Sequence, residues 1–378
     1  MKICLINNLY KPYNRGGAER VVEIISDELQ KQEHEVFIIS TKPFLKKSNL
    51  IAKNYYINSL YYNLNKISKF LRLFFHIYNI FNVKNYFKIK SILKKEKPDI
   101  VMTHNLVGVG FLIPKLIKSL KIKHIHTLHD IQLLHPSGLM IYGKEKIINS
   151  FFAKIYQAIC RNIFKSPDVV ISPSSWLMKM HYNKGFFKDS KKVILSNPVI
   201  FKNNKNREIK NYNKKFNFLY VGQLEKHKGI LFLINVFKKI NNSELIVIGD
   251  GNCPVSKNNK NIKFLGKLKN SEVNKLMREA DALIMPSLCY ENSPTVIYEA
   301  FANGLPVISS NIGGAPELLK DGAGILFKAG DGNDLIEKIN YATEHKKELG
   351  EMSKNGREKI KEFRFESYIK KLISILYT

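Results

Sequence analysis

The feature that most constrains this chain is an alternation of short apolar strands, loops and amphipathic helices, run through twice. Residues 3–7 read as a strand and 14–17 as a loop. A helix follows with Ala18, Val21, Val22, Ile25 and Leu29 on one face. Further strands are expected at 36–40, 99–103, 122–128, 168–172 and 192–195. Several are apolar on both faces, as strands buried in a parallel sheet must be. Asn197-Pro198 closes this set. The stretch 202–215 is almost wholly Asn, Lys and charged residues, Ile209 and Tyr212 apart, and reads as an exposed linker. The alternation then restarts, with strands at 216–221, 244–248, 262–265, 282–285 and 306–309. The expected fold class is α/β, with two Rossmann-like domains facing a cleft. One spans 1–200 and the other 213–357. The tail 358–378 is helical in pattern and is a candidate addition to the first domain.

Composition narrows the function classes. Apolar residues make up 44% of the 378, which excludes a wholly disordered chain. Cys4, Cys160, Cys253 and Cys289 are too far apart in sequence for a metal knuckle or redox pair, and read as reduced thiols in a cytoplasmic protein. The start Met1-Lys2 followed by 3–6 is too short for a signal sequence, and no apolar run approaches a spanning helix. The net charge of +29 points to an anionic partner: nucleic acid, acidic lipid or a phosphorylated substrate. The plain alternative is an AT-rich genome, since Lys, Asn and Ile are abundant throughout. No nucleic-acid-binding module is visible, so no nucleic acid is expected as partner.

One segment breaks the rhythm. Residues 60–97 carry nine aromatics, from Tyr61 to Phe87, among nine Lys or Arg and the single acid Glu96. Basic helices rich in aromatics suit the surface of an anionic membrane. A core-packing helix with a solvated face, or a subunit interface, is the structural alternative.

Four segments stand where ligands gather. In 291–299, Glu291 and Glu299 flank a helix start, with Ser293 the expected N-cap and Pro294 the expected first helical residue. Gly304 is the expected stop. Glu299 then lies about 8–9 Å along the helix. A phosphate suits the free amides and positive dipole end of such a helix start. Carboxylates on either side can accept from sugar and ribose hydroxyls. Spacing alone favours a capped surface helix with two solvated acids. Residues 222–229 follow a strand and open a helix, with Lys228 able to neutralise a phosphate. Arg15-Gly16-Gly17 allows close backbone approach before the first helix, or is simply a tight turn. Finally, His124, His126, His129, Asp130 and His135 invite a zinc reading, but no ligand spacing is completed. No metal is therefore expected, and His129, at the strand's C-terminal end, is the attractive functional histidine.

Taken in order, these segments resemble the retaining family 4 glycosyltransferases of the GT-B fold. The resemblance also covers Ser172-Pro173-Ser174, Asn197-Pro198-Val199, Gly249-Asp250-Gly251, Gly304-Leu305-Pro306-Val307 and Gly313-Gly314-Ala315-Pro316-Glu317. It implies that Glu299 holds the donor ribose and Glu291 the donor sugar. The backbone of Asn292, Ser293, Pro294, Thr295 and Val296 then lies near sugar and phosphates, and Lys228 pairs with the diphosphate. Gly16 and Gly17 approach the phosphates from the other domain, and His129 stands beside the sugar. The family's usual arginine after the first glycine of 222–229 is replaced by Gln223, which carries no charge. The expected activity is retaining transfer from a nucleotide-sugar, with uridine the favoured base and no cofactor. The acceptor is a glycan or lipid-linked glycan in surface polysaccharide assembly. A sugar-nucleotide epimerase, a phosphorylase and a non-catalytic basic surface binder are the competing readings.

Overall fold

The computed structural model describes residues 1–13, 17–44, 53–66, 68–199, 215–251 and 259–377. Gly16, Arg15, Cys253 and nearly all of the polar stretch 202–215 lie outside them. The chain divides into two compact units, one of residues 1–139, 146–196 and 368–378, the other of 140–145 and 197–367.

The first unit is built on seven strands: β1 (Lys2–Ile6), β2 (Glu35–Lys42), β3 (Tyr55–Asn58), β4 (Ile100–Thr103), β5 (Lys123–Thr127), β6 (Val169–Ser172) and β7 (Lys191–Ile194). They pair in the order β3-β2-β1-β4-β5-β6-β7, every pair parallel. All four residues of β4 and of β6 are buried, as strands covered by helices on both faces require. Val21, Val22, Ile25 and Leu29 supply the buried stripe of the helix Gly17–Lys31. The sheet order reverses between β1 and β4, which opens the crevice where ligands bind in such sheets.

The helix Phe365–Tyr377 buries Tyr368, Ile369, Leu372, Ile375 and Leu376. From Tyr368 on it belongs to the first unit, although it comes last in the chain. The Lys123 ammonium donates to the terminal carbonyls of Ile375 (3.3 Å) and Leu376 (2.8 Å), closing its C-terminal end.

The second unit repeats the plan with β8 (Phe216–Val221), β9 (Ser243–Ile248), β10 (Ile262–Gly266), β11 (Ala282–Met285), β12 (Val307–Ser310) and β13 (Gly324–Phe327). Their order is β10-β9-β8-β11-β12-β13, again all parallel, with the reversal between β8 and β11. Residues 140–145 come from the first half of the chain yet join this unit. Ile141 makes an antiparallel bridge to Cys289. The Tyr142 amide donates to the Leu288 carbonyl (2.8 Å), and the Tyr290 amide to the Met140 carbonyl (2.9 Å).

Two strands were not anticipated. Both β3 and β13 lie at sheet edges; β3 ends on Asn58 and β13 opens on Gly324, residue types that strands disfavour. The segment 60–97 resolves into a 3-10 turn, Leu60–Lys66, and two helices, Lys69–Ile80 and Val83–Glu96. Ser68 and Asn82 cap these helices through their side chains. Phe75, Ile80, Ile89, Ile92 and Leu93 are buried, while Phe70, Phe74, Tyr78, Phe81 and Phe87 are exposed.

Candidate functional site

In the second unit, the loops after β8, β11 and β12 converge on Glu291. The turn Lys226–Lys228 follows β8 and is closed by Gly229, whose φ of +77° and close approach to Pro286 admit no side chain. The His227 carbonyl accepts from the amides of Leu288 (2.9 Å) and Cys289 (3.0 Å), which ties the first loop to the second. Lys228 reaches Glu291 Oε1 at 2.5 Å. The same oxygen accepts from Ser287 Oγ (3.1 Å) and lies 3.5 Å from Cys289 Sγ. The Glu291 carbonyl accepts from the Gly314 amide at 2.8 Å, the contribution of the loop after β12. Gly313 (φ +68°) packs so tightly on that backbone that a Cβ would stand 2.3 Å from the Glu291 carbonyl oxygen. Among the described residues nothing bonds to Glu291 Oε2.

Burial pulls the Lys228 ammonium down, but Glu291 beside it more than reverses the effect, and its pKa is raised. The lysine is therefore fully charged at neutral pH.

The helix after Glu291 spans Thr295–Ala302, with Pro294 at the N-cap. This corrects the expected cap by one residue. Ser293 Oγ does not cap; it pairs with the Tyr298 hydroxyl at 2.6 Å. Tyr298 is wholly buried, and an unpaired hydroxyl there would be costly, so it captures the serine. With no side-chain cap, the first amides of the helix, Thr295 and Val296 among them, have no intrahelical acceptor. Gly304, at φ +66°, ends the helix as expected. Glu299 is half-buried, and burial alone raises its pKa. Among the described residues no group pairs with its carboxylate. Asn292 is half-buried beside Glu291. Gln223 is exposed, its carbonyl taken by the Tyr220 hydroxyl at 2.7 Å. Gly249 (φ +144°) presses on Gly222, holding the loops after β8 and β9 together.

In the first unit, His129 lies just beyond β5. His104, missed in the sequence, lies just beyond β4, and its Nδ1 is 2.9 Å from His129 Nε2. Its position at a strand's C-terminal end was the available signal. His104 Nε2 is buried with no partner among the described residues. Burial, and then the charge of His129, hold His104 well below its ordinary range, and burial brings His129 down to about 4. Both rings are neutral at physiological pH. Asp130, whose Oδ1 accepts from the Gln132 amide (2.7 Å), is pushed up by burial to about 7. These groups line a small pocket with Asn105, His126 and Phe164.

The remaining histidines are structural. The Thr103 hydroxyl sits between His124 Nε2 (2.7 Å) and His126 Nδ1 (2.8 Å), while His135 pairs with Ser137. Among the described residues no three His, Cys, Asp or Glu side chains converge as a metal site. Gly17 opens the first helix with open space where a Cβ would stand.

Two parallel sheets of this order, with loops gathered at each reversal, are the GT-B fold. Residues 15–200 match the family described as Glycosyltransferase Family 4, and 201–359 match Glycosyl transferases group 1. The chain belongs to the family 4 glycosyltransferases, and it is a glycosyltransferase. An uncharacterized 41.2 kDa protein in the cps region of Klebsiella pneumoniae is 31% identical over 273 residues, 68% of this chain and 73% of that one. An uncharacterized glycosyltransferase of Methanocaldococcus jannaschii is 28% identical over 98% of this chain and 96% of its own. The fold is shared with Anabaena HepE, solved in complex with UDP, at a TM-score of 0.72 and 17% identity over the whole of both chains. Among the described residues no helix is long and apolar enough to cross a membrane.

Proposed function

We propose that this chain transfers a sugar, with retention, from a nucleotide-sugar to a glycan or lipid-linked glycan acceptor during surface polysaccharide assembly. The observation that carries this reading is the pairing of two carboxylates around one uncapped helix start. Glu291 is fixed by three loops and keeps Oε2 open. Glu299, half-buried and unpaired among the described residues, suits a ribose diol that donates two hydrogen bonds. The amides of Thr295 and Val296 suit the diphosphate between them. Gly16, Gly17 and His129 are assigned to the same donor by the family resemblance alone.

In this mechanism the bond from the anomeric carbon to the β-phosphate oxygen breaks while the acceptor hydroxyl attacks from the same face. Its proton passes to the departing phosphate. Lys228 and the helix-start amides carry the charge that develops on the leaving group, so no metal or other cofactor is required. Because Gln223 is uncharged, Lys228 is the main cation for this task. The HepE structure with UDP supports a uridine donor, and the cps-region relative supports a polysaccharide product. The basic aromatic helices within 60–97 suit an anionic membrane, where a lipid-linked acceptor would lie.

A panel of nucleotide-sugars is screened for protection against thermal unfolding, and the best is used as donor. Glu299→Ala and Lys228→Ala are each expected to cut transfer by about tenfold or more, the loss of at least one strong transition-state contact. Near wild-type turnover in both would sink the assignment. Product formed without any acceptor would favour an epimerase.

A further inference from the structure

The helix Phe151–Phe164 presents large apolar side chains on both faces. Its inner face buries Ala153, Cys160 and Phe164 together with Gln157, whose amide donates to the carbonyls of Leu134 (3.0 Å) and Ile148 (2.8 Å). Its outer face carries Phe151, Phe152 and Ile155, which fall together at helical spacing. Phe151 is 73% and Phe152 81% exposed. Ile147, in the turn before the helix, is exposed as well. From Lys146 to Lys165 the sequence holds Lys146, Lys154, Arg161 and Lys165 and no acid. Exposing two adjacent phenylalanines to water costs free energy that a soluble surface has no reason to carry.

We infer that this outer face is a membrane contact, inserting Phe151 and Phe152 into an anionic bilayer with the neighbouring lysines against the headgroups. The inference rests on the proposed lipid-linked acceptor and adds a contact outside 60–97. Charge selects the occupant: a cationic rim around an apolar tip matches anionic lipid, and repels a second copy of a chain carrying +29. Position agrees. Residues 131–135 follow His129 and Asp130 directly. They are held to this helix by Gln157 and by the Tyr156 hydroxyl, which donates to the Gln132 carbonyl (2.7 Å). The helix Lys69–Ile80, with Phe70 and Phe74 exposed, is a second apolar and basic face of the same unit.

The test sediments the purified full chain with vesicles of phosphatidylcholine, with or without phosphatidylglycerol. Wild-type protein is expected to bind the anionic vesicles about tenfold more than the neutral ones, and F151E/F152E to lose about tenfold or more of that binding. F151S/F152S, which removes the rings without adding charge, is expected to lose binding in the same direction. Both sites are exposed, so the thermal shift given by the nucleotide-sugar should be unchanged. Wild-type sedimentation of both variants overturns the inference, as does equal binding to neutral vesicles. A dimer that both variants convert to monomer, with vesicle binding intact, assigns the face to a second copy and overturns it too. Absence of any nucleotide-sugar shift in lipid-free wild-type protein would instead strike at the donor reading, independently of the vesicle result.

Discussion

Asp130 holds its proton more tightly in the folded chain than in the unfolded one, because burial outweighs the single amide bond from Gln132. Stability due to that proton is complete below about pH 4 and is lost as pH rises through about 7. The histidines around it, His104, His126 and His129, are pulled down by burial and work in the opposite sense, destabilising the fold as pH falls. Asp130→Asn isolates the aspartate. The stability gained by the variant over wild type should be near zero at about pH 4 and grow until above about pH 7. Thermal denaturation of both proteins across pH 4–8 measures it, and a pH-independent gap would contradict the assignment. The sequence singled out His129 and Asp130 by their place after a strand. It did not show His104, because the contact joins ends of neighbouring strands whose adjacency only the sheet order reveals.

At the scale of elements, the donor-side loops are set by close backbone contacts. A Cβ at Gly229 would stand 1.9 Å from the Pro286 carbonyl oxygen, at a φ of +77° that strains any side chain. Gly229→Ala should therefore destabilise by more than about 1 kcal/mol and shift the Lys226–Lys228 turn, raising the donor KM. Urea denaturation and steady-state kinetics would report both, and an unchanged donor KM would argue against the turn's role. The strand–helix alternation made most of the sheets legible, since buried parallel strands must be apolar on both faces. The edge strands β3 and β13 were not legible, since Asn58 closes the one and Gly324 opens the other, and both residue types read as turn signals. The cap at 293–295 was misplaced by one residue because Ser293 answers to Tyr298, a partner five positions on that a local rule does not weigh.

At the scale of the molecule, the first unit is completed by the last helix of the chain. Leu372 is wholly buried there. Leu372→Ala should cost about 2–5 kcal/mol, as for other large-to-small core changes. Hydrogen exchange would show the loss concentrated in β1 to β7, not in β8 to β13. A uniform loss across both sheets would mean that the two units unfold as one. The polar composition of 202–215 made a break between halves readable. The tail 358–378 was a candidate addition to the first domain, and from Tyr368 on it lies in that unit; that 140–145 joins the other unit was not legible, because nothing in local composition records it.

That interleaving matters for anyone building hybrids of such enzymes. A single splice near residue 200 would give the second half a foreign 140–145 segment beside Leu288 and Tyr290, three residues or fewer from Glu291, and the first half a foreign helix over β5. A workable exchange of donor preference must carry 140–145 along with the second half and leave 368–378 with the first. Recombination that moves those two short pieces with their units keeps native packing around both; recombination that ignores them leaves two mismatched interfaces.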